Sequence, residues 1–230
     1  MALSTRLQSL SALPDGGQLL TIHLPHPLPI RPGHWFHFQH SHEQRVAAAL
    51  DHSDVEGWLS IALPRSQAIS AQRLAPGAPC TLDGPHGDGL AESDSLQRTI
   101  LITDPLGLPA LLFLARRATP AALALVALDQ TDWVRLRPSR YMLPQMPAGV
   151  IAGLSPLEEA GIPSRASHAA HPGCHDGPIT ELLDAWLGSR RAGDRWQDRA
   201  VIIGEAAFIT QVSAVLRGRI GQYQGLPIPA

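Results

Sequence analysis

The 230-residue sequence contains no lysine, so all 18 of its basic residues are arginines. Mechanisms that need an ammonium side chain, such as a lysine Schiff base or a lysine-dependent phosphate loop, are therefore excluded. Asp and Glu together number 20, which gives a formal net charge of -2. This balance leaves no basic surface that could release counterions from nucleic acid, and we expect no nucleic-acid partner.

Cysteine and long apolar runs are also scarce. The two cysteines, Cys80 and Cys174, lie far apart and neither belongs to a Cys-x-x-Cys pair, so we expect no zinc or iron-sulfur site. No apolar run approaches the roughly 18 residues of a membrane span, and the N-terminus lacks the apolar core of a secretory signal. A cytoplasmic protein without a membrane span is the expectation. The sequence has no Gly-x-Ser-x-Gly elbow, which argues against a serine hydrolase.

The first ninety or so residues contain short strand patterns separated by turns. Such frequent, short strands predict a small antiparallel β-barrel. One short helix is predicted over Ala68 to Leu74, before a Pro-Gly turn. The predicted strands are Leu19 to Leu24, Trp35 to Phe38, Val46 to Leu50, Gly57 to Leu63 and Cys80 to Leu82.

The second half alternates apolar strands with helices, which predicts a doubly wound parallel sheet. We place the domain boundary in the polar stretch 91–98, giving a flavin-binding-type barrel over 1–95 and a nucleotide-binding-type α/β domain over 96–230. Residues 164–178 are interpreted as an extended connection. The predicted strands are Thr99 to Thr103, Ala121 to Leu128, Val150 to Ala152 and Ala200 to Ile203, and the predicted helices are Pro109 to Arg117, Ile179 to Leu187 and Ala207 to Leu216.

Several segments, in this order along the chain, resemble motifs of the ferredoxin reductase-type FAD/NAD(P)-binding family, which includes the electron-transfer subunit of dihydroorotate dehydrogenase. The resemblance implies an N-terminal antiparallel Greek-key barrel followed by a doubly wound sheet. The segments are Arg31-Pro-Gly-His-Trp-Phe36, Arg45-Val-Ala-Ala48, Ser70 to Gly87, Ile102 to Leu112, Gly177 to Leu183 and Val201 to Phe208.

The same resemblance implies a role for each matching residue. A guanidinium and a hydroxyl can bind flavin phosphates, and glycines after strands let a nucleotide approach the backbone. The flavin positions are Arg45, Ala47, Ala48 and Ser70. The nucleotide positions are Thr103, Asp104, Leu106, Gly107, Gly204, Glu205 and Phe208.

Several of these positions depart from the family pattern. Ala47 and Ala48 stand where the family has Tyr and Ser, so an aromatic cover and a hydrogen bond to the flavin ring are missing; His34, Trp35 or Trp58 are candidate replacements for the ring. Asp104 and Pro105 stand where the family has glycines, which adds a carboxylate and removes an amide donor. Ile203 and Glu205 replace Cys and Pro. The sequence thus predicts weaker NAD(P)H turnover than flavin binding.

Each candidate also has a purely structural interpretation. Arg45 can form a surface ion pair with Glu43 or Asp51, Ser70 and Asp104 can cap helices, and Gly107 and Gly204 can permit tight turns. The histidines at 34, 37, 40 and 42 indicate a solvated barrel edge rather than a metal site. Those at 168, 171 and 175, beside Cys174, indicate a flexible loop rather than a zinc site.

Two functions remain open. The first is an electron-transfer flavoprotein in which FAD or FMN lies between the domains, takes hydride from NADH or NADPH and passes electrons to a redox partner protein. The second is a non-catalytic subunit that keeps the two-domain shape as a binding or regulatory protein. Nothing in the sequence supplies a separate catalytic acid, base or nucleophile.

Overall fold

The first half of the chain forms a closed antiparallel barrel in a computed structural model that describes residues 2–70, 74–91, 96–117, 123–129, 133–143, 145–189 and 199–230. Six strands close in the order β1-β2-β5-β4-β3-β6, a Greek-key arrangement that confirms the predicted barrel. The strands are β1 (Ala2–Ala12), β2 (Gln18–His23), β3 (Trp35–His40), β4 (Glu43–Ser53), β5 (Trp58–Leu63) and β6 (Pro79–His86).

Buried and less buried side chains alternate along the barrel strands, and the buried ones fill the barrel. In β3 the buried Phe36 and Phe38 lie in the barrel core, whereas Trp35 and His37 are only half-buried. Successive side chains of a strand point to opposite faces, so Trp35 and His37 lie on the outer face. This outer face continues on β4, where Trp35 pairs with Ala48 and His37 pairs with Val46.

The second half forms a five-stranded parallel sheet in the order β11-β8-β7-β12-β13, which confirms the predicted doubly wound domain. Helices pack on it, and β9 and β10 form a separate antiparallel hairpin. The elements are β7 (Thr99–Thr103), α1 (Leu108–Arg117), β8 (Leu123–Ala127), β9 (Leu136–Pro138), β10 (Ala152–Leu154), α2 (Ser155–Glu159), β11 (Ser164–Ser167), α3 (Ile179–Gly188), β12 (Arg199–Gly204), α4 (Ala206–Leu216) and β13 (Gln222–Pro227).

The structure corrects two predicted elements. The third parallel strand is Ser164–Ser167, in the stretch interpreted as a connection, while the region around Val150 to Ala152 belongs to the hairpin. A short 3-10 helix spans Arg65–Gln67, and residues 68–70 that follow are not helical. The rest of the helix predicted over Ala68 to Leu74, at 71–73, lies outside the described residues, as do 92–95 of the predicted boundary. The first and last strands, β1 and β13, are further elements that the sequence pattern does not predict.

Helix α1 joins the two halves. Leu108 and Leu111 share one buried cluster with Ala48 and Leu50 of β4, and Phe113 belongs to the cluster that fills the barrel. At the end of the helix, Arg116 Nη1 donates to Asp51 Oδ2 at 2.7 Å. The barrel and the sheet therefore share a continuous hydrophobic contact.

None of the helices within the described ranges has the length and apolar character that crossing a membrane requires.

Candidate functional site

Gly107 and Gly204 lie together at the carboxyl edge of the sheet. Strands β7 and β12 are parallel neighbours, so their ends meet at this edge. A Cβ on Gly107 would overlap the carbonyl oxygen of Ile203, and one on Gly204 would overlap the carboxylate of Asp104. Gly204 also has a φ of +152°, which side chains other than glycine rarely adopt. The strand order reverses between β7 and β12, and such a point is where doubly wound sheets bind ligands.

The carboxylate of Asp104 connects the two loops. Its Oδ1 accepts a hydrogen bond from the Gly107 amide at 2.9 Å, and its Oδ2 accepts one from the Glu205 amide at 2.7 Å. Burial raises the pKa of Asp104, and the amide hydrogen bonds oppose that rise. These amides stand at the N-termini of α1 and α4, where backbone donors bind anions. Asp104 therefore occupies, with its own side chain, donors that an anionic ligand could use.

The other predicted nucleotide positions surround this pair of loops. Thr103 is fully buried, and its hydroxyl donates to the Ile203 carbonyl at 2.8 Å. Leu106 is partly buried against the cluster shared by both domains. Glu205 is exposed, and Phe208 packs at the start of α4.

A pocket of about 280 Å³ lies beside Phe208 and Gln211 of α4, beyond the ends of β8 and β11. The sequence pattern does not reveal most of this pocket, because β11 lies in the stretch that is predicted to be a connection. His168 donates from Nε2 to the Asp129 carbonyl at 3.0 Å, since its Nδ1 accepts from the Ala170 amide at 3.0 Å. The lining includes Ser167, His168, Ile179, Thr180, Phe208 and Gln211.

On the barrel side, Arg45 is engaged by its own chain. Its Nη2 donates to Glu43 Oε2 at 2.8 Å, its Nε donates to the Gln67 carbonyl at 2.9 Å and its Nη1 donates to the Gln44 carbonyl at 2.9 Å. The ion pair with Glu43 agrees with the structural interpretation of Arg45. Ser70 is exposed and lies three residues after the Arg65–Gln67 turn. It does not begin a helix in the described part of the chain.

The two alanines of the flavin motif face different surroundings. Ala47 belongs to the cluster inside the barrel, while Ala48 belongs to the cluster shared with the second domain. Only the second of these positions is therefore on the side of the interdomain contact.

Of the three candidate replacements for the ring, Trp35 packs against the shared cluster. Its ring centroid lies 4.6 Å from that of His86 and 5.2 Å from that of His37. Trp58 instead donates to the Glu56 carboxylate at 2.6 Å. His34 is buried, and that burial lowers its pKa.

The turn before β3 relates the barrel to the loops of the sheet. A Cβ on Gly33 would lie 2.8 Å from Leu226 Cδ1 of β13, and Leu226 pairs with Ile203, the residue before Gly204. This turn of the barrel therefore packs at the carboxyl ends of β12 and β13, next to the loop that carries Gly204.

The histidine clusters do not assemble a metal site within the part of the chain that the structure describes, where no group of three or more His, Cys, Asp or Glu side chains is arranged to hold an ion. His34 and His40 are buried rather than solvated, contrary to the expected barrel edge. His40 is within hydrogen-bond distance of the Pro79 carbonyl, at 2.9 Å.

Neither a protein-family model nor a curated protein sequence matches the chain. Solved structures do match it over nearly its full length. The Amycolatopsis cytochrome P450 reductase GcoB is 16% identical, with a TM-score of 0.70, over 100% of this chain and 70% of that one. The ferredoxin NADP+ reductase from Neisseria gonorrhoeae, solved with bound FAD and NADP, is 12% identical, with a TM-score of 0.60, over 97% of both chains.

The siderophore-interacting protein SipS from Aeromonas hydrophila is similar too, at 14% identity and a TM-score of 0.56, over 98% of this chain and 97% of that one. At these identities the similarity establishes the fold. The barrel, the sheet and their connection are thus shared with all three proteins.

Proposed function

We propose that this chain, whose fold is that of the ferredoxin reductase-type proteins, is a flavin-dependent NAD(P)H oxidoreductase or electron-transfer subunit that supplies electrons to a partner protein. The observation that carries the proposal is that the barrel turn containing Gly33 packs on Leu226, beside the sheet edge that bears Gly107 and Gly204. A flavin and a nicotinamide nucleotide could meet there. The Neisseria gonorrhoeae reductase, which was solved with bound FAD and NADP, supports the same function. A cytoplasmic location is part of the proposal.

The proposed flavin, FAD or FMN, has partial support from the residues present. Arg45 can bind a phosphate if it exchanges Glu43 for that anion, and exposed Ser70 can add a hydroxyl. Trp35 offers an aromatic surface beside Ala48, in place of the missing tyrosine. When bound, the flavin supplies the redox chemistry; the chain supplies its position and electrostatic surroundings.

The proposed nucleotide would use the edge of the sheet. Its diphosphate would approach the loops at Gly107 and Gly204, and one end would enter the pocket beside Phe208. Asp104 competes for the loop amides, so we expect weak binding. The domain division, with flavin on 1–95 and nucleotide on 96–230, belongs to the same proposal.

Reconstitution tests the proposal directly. Purified protein is incubated with FAD or FMN, freed of unbound flavin and examined for the visible absorption of an oxidised flavin; NADH or NADPH is then added without oxygen. A protein that keeps the flavin colour, and loses it when NADH or NADPH is added, supports the proposal. Arg45→Gln should retain less flavin, whereas Arg137→Gln, which removes an exposed pair with Glu159, should retain as much as the unmodified chain. A folded protein that stays colourless overturns the flavin function.

The alternative is a non-catalytic subunit that acts as a binding or regulatory protein. Two observations favour it: Asp104 fills the loop amides, and Arg45 is already paired with Glu43. This alternative predicts a cooperatively folded protein that retains neither FAD nor FMN and binds no ADP-ribose. The reconstitution experiment, together with a titration with ADP-ribose, therefore separates the two functions.

A further inference from the structure

Strand β13 forms one edge of the parallel sheet. Among the described residues, no strand lies beyond it in the order β11-β8-β7-β12-β13. The Ile228 amide donates to the Gly204 carbonyl, on the β12 side. Because alternate residues of a strand point their amides the same way, the amides of Tyr223 and Gly225 point to the outer side. Pro227 follows the same alternation, so the residue that lacks an amide also faces outward, as is usual at a sheet edge.

The surface beside this edge is uncharged. Helix α4 packs on both β12 and β13, and neither α4 nor β13 contains an Asp, Glu or Arg. A Cβ on Gly225 would lie 2.7 Å from Ile209 Cγ2, so Ile209 lies over β13, and Ser213 follows on the same flank of the helix. Tyr223 is 42% exposed at the edge itself. Depletion of charged residues is typical of the core of a protein interface.

The two ends of α4 carry opposite charges. Exposed Glu205 directly precedes the helix, and exposed Arg217 directly follows it. When two copies of α4 lie antiparallel, the Glu205 end of each helix lies beside the Arg217 end of the other. Two equivalent ion pairs then flank an uncharged centre. The surface is therefore complementary to a second copy of itself.

We propose that two copies of this chain form a symmetric dimer in which their β13 strands pair antiparallel about Gln224. In this register, Tyr223 of one protomer lies opposite Gly225 of the other, and the aromatic ring covers the glycine. The symmetry axis repeats the same contact twice, as an interface between identical surfaces requires. The two five-stranded sheets then form one continuous sheet.

The two α4 helices fit side by side in this arrangement. Neighbouring strands lie about 4.8 Å apart, so a helix midway between β12 and β13 lies about 2.4 Å inside β13, and the symmetry axis lies about 2.4 Å outside it. The two helix axes are then about 10 Å apart, which is a usual distance for packed helices. The small side chains of Ala206 and Ser213, on the flank that faces the edge, permit this approach.

The available area indicates a weak dimer. Strand β13 is about 20 Å long, and the helix and sheet layers together are about 20 to 25 Å deep. Each protomer thus offers about 400 to 500 Å², or about 800 to 1,000 Å² in total, whereas stable specific interfaces bury about 1,200 to 2,000 Å². We therefore expect reversible association rather than a permanent dimer.

Sedimentation equilibrium of the purified chain, from micromolar to millimolar concentration, tests the dimer. The mass should rise from 24.6 kDa toward twice that value, whether or not flavin or nucleotide is present. Tyr223→Lys places an ammonium group on the edge and should weaken association at least about tenfold, whereas Tyr223→Phe keeps the ring and should not. A chain that stays at 24.6 kDa at the highest concentration would overturn the proposal.

Exchanged charges locate the interface. Glu205→Arg and Arg217→Glu should each weaken association, because each places like charges together at both ends of the paired helices. An equimolar mixture of the two variants restores both ion pairs and should associate about as tightly as the unmodified protein. Glu159→Arg, at an exposed position of α2, is the control and should change nothing.

Circular dichroism confirms that each of these variants is folded. A mixture that associates no better than either variant alone would contradict the antiparallel arrangement. Folded Glu205→Arg and Tyr223→Lys variants that dimerise as the unmodified chain does would place the contact elsewhere and overturn the proposed interface.

Discussion

At the scale of single residues, the site is set by two side chains that bind groups of their own chain. The Asp104 carboxylate accepts hydrogen bonds from two backbone amides at the helix N-termini, and Arg45 forms an ion pair with Glu43. Both arrangements satisfy charged groups that would otherwise lose solvation without a partner. A ligand that binds at either position has to replace these internal contacts.

Removing the Asp104 carboxylate should expose the two amides. We expect Asp104→Gly to bind ADP-ribose more tightly by about tenfold, because two hydrogen bonds of roughly 0.5 to 1.5 kcal/mol each become available. Asp104→Asn keeps a side chain in the same space and should not gain affinity. The measurement is calorimetric titration of both variants, with circular dichroism to confirm folding. A folded glycine variant with unchanged or weaker affinity would contradict the competition.

Releasing Arg45 from its partner should favour flavin binding. Glu43→Gln removes the carboxylate that now holds Nη2, and an exposed pair of this kind contributes about 0.2 to 1 kcal/mol. We expect the affinity for FAD to rise about twofold to fivefold, as measured by fluorescence quenching. The control is Glu159→Gln, which releases the distant Arg137 and should have no effect. Equal effects of the two variants would show that Arg45 does not contact the flavin phosphates.

At the scale of elements, α1 determines how the barrel meets the sheet. Its buried residues divide between two clusters: Leu108 and Leu111 pack with β4 and the sheet, whereas Phe113 packs with the barrel core and lies 5.5 Å from the His52 ring. One helix thus bridges both hydrophobic cores, which opposes independent movement of the two halves.

Truncating Phe113 should therefore destabilise the whole chain. We expect Phe113→Ala to lower the free energy of unfolding by about 3 to 5 kcal/mol, as for other buried aromatic residues. Val55→Ala, at a position that is 98% exposed, should change it by less than about 0.5 kcal/mol. Denaturant unfolding followed by circular dichroism and by tryptophan fluorescence makes the comparison. Two separate transitions in the unmodified protein would contradict the bridging role of α1.

At the scale of the whole molecule, two buried histidines make stability depend on pH. Burial lowers the pKa of both His34 and His52 from the ordinary value of 6.5, and Arg117 lowers that of His52 further. Both groups therefore take up a proton less readily in the folded than in the unfolded state. Their stabilising contribution is fully present above pH 6.5 and is lost as the pH falls below that value.

The melting temperature should accordingly fall between pH 7 and pH 5. His52→Gln removes one of the titrating groups, so its melting temperature should fall less steeply over the same range, even if it starts lower. His42→Gln, at an exposed position, should follow the unmodified protein. Parallel curves for all three proteins would exclude a contribution from His52.

Much of the architecture follows from local pattern. Buried and less buried side chains alternate in β3, whereas β7 and β12 are continuous apolar runs. These patterns identify strands because burial of one face gives alternation and burial of both faces gives an apolar run. Strand β11 lacks this signal: Ser164 and Ser167 are buried polar residues, and buried Arg165 donates to the carbonyls of Val150, Ser164 and Tyr141. Its strand structure depends on partners distant in sequence, which local pattern does not encode.

The sequence by itself determined that the chain has a barrel followed by a doubly wound sheet, and that Asp104 stands where the family that it resembles has a glycine. Only the tertiary structure decided what this residue contacts. The Asp104 carboxylate reaches the Glu205 amide, 101 positions away, because β7 and β12 are neighbours in the sheet. Hydrogen bonds of this kind depend on strand pairing and register, so they exist only once the sheet has assembled.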